Sequence, residues 1–356
     1  MSRSKAMGIA ILSFTAVLAL TGCGSSGAPN PAGAAGGSTV VVGTWGGDYQ
    51  KFLKEFVGPE LAQEKDAPNV VFATSDDVSR LAKLRAEKDG DVGTMDIVAL
   101  NHIQMQQAVQ DGTLEEIDAS KISNLENVPQ EMTNPYWVPQ ISSPSVIVYN
   151  KDKVSPAPTS YEDLWDEKYA GKIGIQAPQA QDFFHAAASL ALGENASSNF
   201  MAGLPLLEKL APHTQVFSSQ EQLGAALMSG QVWMTLNWKA RAYQWIETSD
   251  TPLGAAVPKE GTYSTQFVMG IPKNAPNKEA AYSYLNAMLA PQAQLDFGTN
   301  MGYLPAATNS GMSAELMERL GVAESDADLI GTLDVDDVAA NYSEIVDAWE
   351  QKIVNR

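Results

Sequence analysis

The sequence predicts an α/β protein of two lobes with a ligand cleft between them. Three observations predict it. Short apolar strands alternate with amphipathic helices, the alternation runs in two separate series, and a 356-residue chain is too long for one ordinary domain. In the first series, Thr39-Val40-Val41-Val42-Gly43-Thr44-Trp45 reads as a buried strand broken by Gly46-Gly47. Asp48 is expected to cap a helix whose apolar positions Phe52, Phe56 and Leu61 share a side. Asn69–Ala73 reads as a strand, Asp76 or Asp77 as the cap of a helix through Leu81, Leu84 and Glu87, Met95–Leu100 as a third strand, and Asn101–Gln110 as a helix.

The second series begins with a strand at Ser145–Tyr149 near a crossover and another around Gly174-Ile175. Helices are expected at Gln181–Leu192, Phe200–Leu210, Gln220–Met228 and Ala240–Glu247, with a strand at Val232–Leu236. Gln266–Ile271 reads as a strand returning to the first lobe, followed by helices at Glu279–Leu289 and Ala339–Ile353. The division is therefore 39–146 and 270–320 for the first lobe and 147–269 for the second, with 321–356 packing on the lobes. Such an arrangement brings strand ends and helix N-termini together around a cleft.

Before the lobes lie two segments of a different kind. Arg3 and Lys5 precede an apolar run from Met7 to Leu20, which has secretory-signal length and is short for a membrane span. It ends in Leu20-Thr21-Gly22-Cys23, which resembles the lipobox of bacterial lipoproteins. The resemblance implies a signal peptide over 1–22 and a lipidated Cys23, the sole cysteine. Gly24–Ser38 holds Gly, Ala, Ser, Pro and Asn, and reads as a flexible tether. The protein is accordingly expected outside the cell membrane, held by lipid.

Composition and motifs narrow the function. The net charge of -19 repels phosphate backbones, so no nucleic-acid partner is expected. One cysteine excludes an intrachain disulfide and a thiolate metal cluster, and three scattered histidines (His102, His185, His213) give no helical zinc pair. There is no phosphate loop, dinucleotide turn or Gly-x-Ser-x-Gly elbow, so no cofactor, metal or catalytic activity is expected. An exported hydrolase is the alternative from another class.

Polar and aromatic residues at strand ends remain. Trp45 could stack on a solute, and Asp48 lies where Gly46-Gly47 lets backbone approach it. Asn101 and His102 follow the third strand. Trp238 and Arg241 follow a later strand, and the planar fork of Arg241 suits a carboxylate or phosphonate. Gln181, Asp182, Thr265 and Gln266 complete the candidate ligand-binding set.

The order of segments is similar to the spermidine/putrescine-type branch of ABC-transporter solute-binding proteins. The passages that carry it are Asp111-Gly112-Thr113-Leu114 with Ile117-Asp118, Pro139-Gln140-Ile141 through Val148-Tyr149-Asn150, and Tyr161-Glu162-Asp163-Leu164-Trp165 with Tyr169-Ala170-Gly171-Lys172-Ile173. Val257-Pro258-Lys259-Glu260-Gly261, Gly270-Ile271-Pro272-Lys273-Asn274-Ala275 with Asn277-Lys278-Glu279-Ala280-Ala281, and Gly302-Tyr303-Leu304-Pro305 complete it. The resemblance implies a periplasmic-binding-protein-like fold of type II, lobe closure on a small molecule, and a membrane permease with its ATPase as partners. A monomer is expected.

The chain departs from polyamine binders where these clamp ammonium groups with carboxylates. Thr262-Tyr263-Ser264-Thr265-Gln266 has no acid, and Gln176–Asp182 has only Asp182. A dication in a dry cleft needs paired negative charge. The expected ligand is therefore an amino-acid derivative, a 4-aminobutyrate-like zwitterion or an aminophosphonate, with a polyamine as the alternative.

Overall fold

The computed structural model describes residues 38–64, 66–176 and 180–355; the expected signal segment, Cys23 and nearly all of the tether lie outside them. Eleven strands form the described sheet: β1 Thr39–Thr44, β2 Asn69–Thr74, β3 Ile97–Asn101, β4 Val138–Asn150, β5 Ile173–Gln176, β6 Thr214–Phe217, β7 Met234–Trp238, β8 Leu253–Ala256, β9 Thr262–Gly270, β10 Leu304–Pro305 and β11 Ile330–Gly331. The order is β2-β1-β3-β9-β4-β7-β5-β6, with β8 and β10 on β4 and β11 on β9.

In the first lobe β2, β1 and β3 are parallel, as helical crossovers require, and β9 lies antiparallel to β3. In the second, β5 is parallel to β6 and β7, and β7 and β8 are antiparallel to β4. β4 links the two. Its residues Val138–Pro144 pair with β9, Ser145–Tyr149 with β7 and Ile147–Asn150 with β8. All thirteen of its residues are buried.

Each sheet is covered on both faces. Val40, Val42, Leu53, Ile97, Tyr284 and Phe297 form one face of the first lobe's core, while Leu81, Leu84, Leu100, Met105 and Val268 form the other. In the second lobe Phe183, Phe184, Leu207 and Leu236 form one cluster, and Val146, Val148, Leu227 and Trp245 the other. The C-terminal segment joins the second lobe's core through Leu333, Val338, Ile345, Trp349 and Ile353. It also reaches the first helix–strand series, where the Gln110 side chain donates to the Asp336 carbonyl at 3.1 Å.

Several expected elements differ. The helix after β1 is capped by Gly47, whose φ of 65° favours glycine, and Asp48 is its first residue with no side-chain cap bond. That helix runs Asp48–Phe52, then a π turn Leu53–Val57, then Gly58–Leu61. Pro59 has no N–H to continue the regular ladder there. Asp76 caps Asp77–Glu87, its carboxylate accepting from Ser79 N–H at 2.7 Å. The final helix is split into Val335–Ala340, Tyr342–Ala348 and a π turn Trp349–Val354. Asn341 stands at the break, its side chain donating to the Asp337 carbonyl at 2.9 Å in competition with the helix.

One buried carboxylate fastens the first lobe. Asp96, fully buried, accepts from Val41 N–H at 2.7 Å and from Asn277 N–H at 2.6 Å, joining β1 to the start of the helix Lys278–Met288. Asp96→Ala orphans two backbone donors, each worth about 1–3 kcal/mol when left buried and unpaired. Urea unfolding should show a loss of about 2–5 kcal/mol; a loss below about 1 kcal/mol would show that the clamp is dispensable.

Candidate ligand-binding cleft

The crossing of β4 and β9 decides which side chains meet. Across these strands Ser143 pairs with Thr265, Ser142 with Gln266 and Ile141 with Phe267; Asn101 of β3 also pairs with Phe267, and Ser145 with Trp238 of β7. Side chains alternate along a strand, so Thr265 and Phe267 take one face of β9 and Ser264 and Gln266 the other.

On the Phe267 face an aromatic cluster bridges the two sheets. Trp45, just past β1, meets the Phe267 ring edge-on at 5.6 Å, and Trp238, at the end of β7, meets it at 5.2 Å. Tyr303, ahead of β10, stands 5.3 Å from Phe267, and Tyr49 lies 4.9 Å from Trp45. All are edge-to-face arrangements, the favourable geometry for ring quadrupoles. Trp238 belongs to the second sheet yet packs on the first lobe's core, so this cluster is one place where the lobes touch.

Polar groups around the cluster lack partners. Among the described residues, Thr44 Oγ1, Ser145 Oγ, Thr265 Oγ1, Trp238 Nε1, Arg241 Nε and one oxygen of Asp182 are buried without a hydrogen bond. Unpaired buried groups are rare and costly, so these six are candidate partners for a ligand. Asp182 is 1 % exposed, and its other oxygen accepts from the Tyr263 hydroxyl at 2.8 Å. Burial pushes its carboxyl up to about 7, against the hydrogen bond from Tyr263.

The cations are Arg80 and Arg241, and neither forms an ion pair among the described residues. Arg241 stands in the first turn of the helix Lys239–Thr248, and its Nη1 donates to Gln244 at 2.7 Å. Burial pushes the Tyr303 phenol up to about 12, and the nearby Arg241 charge opposes this. Arg80 is 1 % exposed, its guanidinium 4.3 Å from the centre of a Trp45 ring.

The structure thus brings Trp45, Trp238, Arg241, Thr265 and Asp182 to the crossing region, with Gln181 buried one residue before Asp182. It takes His102 and Gln266 elsewhere. His102 Nδ1 accepts from the Gln266 backbone N–H at 2.9 Å, and both residues line a cavity of about 360 Å³ with Ser142, Ser264, Trp137 and Leu333 on the opposite face of β9. Burial lowers His102 to about 4, so it is neutral. The Asn101 amide is committed to its helix, accepting from Gln104 N–H and donating to the Gln104 side chain, both at 2.9 Å. Asp48 is exposed at its turn. Phe267, Tyr303, Ser145 and Arg80 were not among the candidates. Phe267 was legible as the strand neighbour two residues from Thr265, and Arg80 as the residue four before Leu84 on a buried helix face.

The Asp182 shift carries a stability consequence. Its folded value lies above the roughly 3.9 of an unfolded aspartate, so its contribution is present in acid and lost as pH rises through about 7. Asp182→Asn keeps an acceptor for Tyr263 and removes the charge. In ligand-free protein the variant should melt above wild type at pH 8, with the gap closing toward pH 4. Other groups, including the buried His185, cancel in the difference. A gap constant with pH would contradict the buried charge.

The comparisons agree with this architecture. A family profile described as bacterial extracellular solute-binding protein matches residues 28–320. The spermidine/putrescine-binding periplasmic protein of Salmonella typhimurium is 28% identical over 263 residues, covering 70% of this chain and 74% of that one. A solved GABA receptor superposes with a TM-score of 0.78 at 22% identity, covering 90% of this chain and 98% of that one. The binding protein MotA of A. tumefaciens B6, solved with glucopine, gives 0.74 at 21% identity, covering 89% and 100%. The two-lobed fold and the extent of the family match make this chain a member of the bacterial extracellular solute-binding proteins, the substrate-binding components of ABC transporters.

Proposed function

We propose that this receptor captures a small zwitterion or organic acid, of the amino-acid, 4-aminobutyrate or aminophosphonate class, by closing its lobes around the aromatic cluster. The observation that carries the reading is the charge balance there. Two arginines have no ion-pair partner among the described residues, and the buried acid beside β9, Asp182, is half neutralised near pH 7. A carboxylate or phosphonate would complete Arg241, whose Nε is buried and unpaired. An amine at the other end would find Asp182, and Trp45 and Trp238 would cover the chain between. The lobes proposed are about 39–146 with 270–320, and 147–269, with β9 the strand that returns to the first. The body would hang by residues 23–38 from a lipidated Cys23 on the outer face of the cell membrane and deliver its ligand to a permease driven by an ATPase.

A polyamine is the second reading, favoured by the named ligand of the Salmonella relative. A thermal-shift panel of diamines, amino acids and phosphonates separates the two. A ligand at a hundred times its dissociation constant adds about 2.7 kcal/mol of stability. The panel should single out an acid-bearing compound; a response confined to putrescine and spermidine would overturn the assignment. Calorimetry on Arg241→Ala should then show at least tenfold weaker binding, about 1.4 kcal/mol, with only partial rescue in Arg241→Lys, because a point charge cannot reproduce the planar fork. Wild-type affinity in Arg241→Ala would place that arginine outside the site.

The anchor has its own test. Cys23→Ser should move the protein from the membrane fraction to the medium. Continued membrane association would mean that something other than a lipid on Cys23 holds it.

A further inference from the structure

Arg80 is held where a buried cation costs most. It is 1 % exposed, with Nε donating to the Ala99 carbonyl at 2.9 Å and Nη1 to the Ser75 carbonyl, while Nη2 has no partner. Backbone carbonyls fix the fork but bring no negative charge. The nearest acids are Asp76 and Asp77. Asp76 is exposed and uses both oxygens on Ser79, at 2.7 and 2.9 Å, and Asp77 is half-buried. Burial lowers Arg80 to about 10, so it remains charged at neutral pH.

The guanidinium lies over one face of the indole of Trp45. An aromatic ring attracts a cation because both faces are negative, and a cation already on one face uses that potential. A second cation on the other face would sit roughly 8 Å from the first, across a ring that excludes water and so screens poorly. An ammonium group on Trp45 is thereby disfavoured, whereas an anionic or neutral group is not.

Resting on the zwitterion reading above, we propose that Arg80 is a specificity-determining residue that acts through Trp45, making that aromatic wall reject ammonium groups and so excluding diamines from the cleft. Arg80 itself touches no ligand in this account. Its role is to set the sign of the field behind the ring.

The test compares calorimetric affinities for 4-aminobutyrate and putrescine, probes that share a four-carbon spine and differ at one end. In wild type 4-aminobutyrate should bind more tightly. Arg80→Met should narrow the ratio of the two affinities at least tenfold, mainly through tighter putrescine. Arg80→Lys, which keeps the charge and loses the fork, should hold the ratio within about threefold, a rescue that a purely packing role would not give. Arg80→Gln, neutral but able to donate to the same carbonyls, should follow Arg80→Met and serves if the methionine variant does not fold. An acid-preferring wild type whose ratio is unmoved in the neutral variants, even with both affinities weakened, overturns this inference alone. A wild type that prefers putrescine overturns it together with the zwitterion reading.

Discussion

β4 hydrogen-bonds to one sheet through its first half and to another through its second, and the other features of the cleft are placed by that shared strand. Because Ser143 and Ser145 belong to a single strand, the partners opposite them, Thr265 on β9 and Trp238 on β7, are brought near one another although they come from different sheets. β9 repeats the device, pairing with β3 in the first lobe and extending to β11 at its other end. A receptor whose lobes share continuous strands can bend at the crossing without rearranging either core, the hinge geometry expected of domain closure. The edge-to-face contacts of Trp45 and Trp238 with Phe267 then form a seam that a ligand could enter.

On the proposed reading, charge would give this seam its selectivity. Burying an ion is expensive unless an opposite charge or strong hydrogen bonds accompany it. Arg80 and Arg241 have hydrogen bonds without a carboxylate partner, and Asp182 is eased toward its neutral form. The acidic exterior does not contradict this: the net charge of -19 belongs to the surface as a whole, whereas the cleft is set by a few groups in low dielectric.

The alternation of strand and helix, the two series and the crossing strands were legible because buried parallel strands leave apolar runs and helices leave a periodic stripe. The extent of β4 was not, since only Ser145–Tyr149 has an unbroken apolar look, while Pro139 and Ser142–Pro144 are buried in pairing with β9 and Gln140 at the irregularity between them. Short strands such as β6 and β8 escaped notice for a similar reason: Leu253-Gly254-Ala255-Ala256 has little β character and is held by β4. Trp45, Trp238 and Arg241 are named as candidates from their places at strand ends, and the structure sets them near the crossing of β4 and β9. Thr265 and Gln266 were named together, yet strand alternation sends them to opposite faces, and a pairing register is needed to tell which of them faces Trp238. Arg80 was hidden because an arginine on a helix is ordinarily solvated. Its burial, its bonds to the Ala99 and Ser75 carbonyls and the contact with Trp45 show its fork turned inward.

The most direct measurement is a crystal structure of the complex with the tightest compound from a panel of amines, amino acids and phosphonates. The account predicts closed lobes, an acid group on the Arg241 guanidinium, and a ligand chain between Trp45 and Trp238 with its amine toward Asp182. An ammonium group seated on the indole of Trp45, with Arg241 turned to solvent, would contradict it.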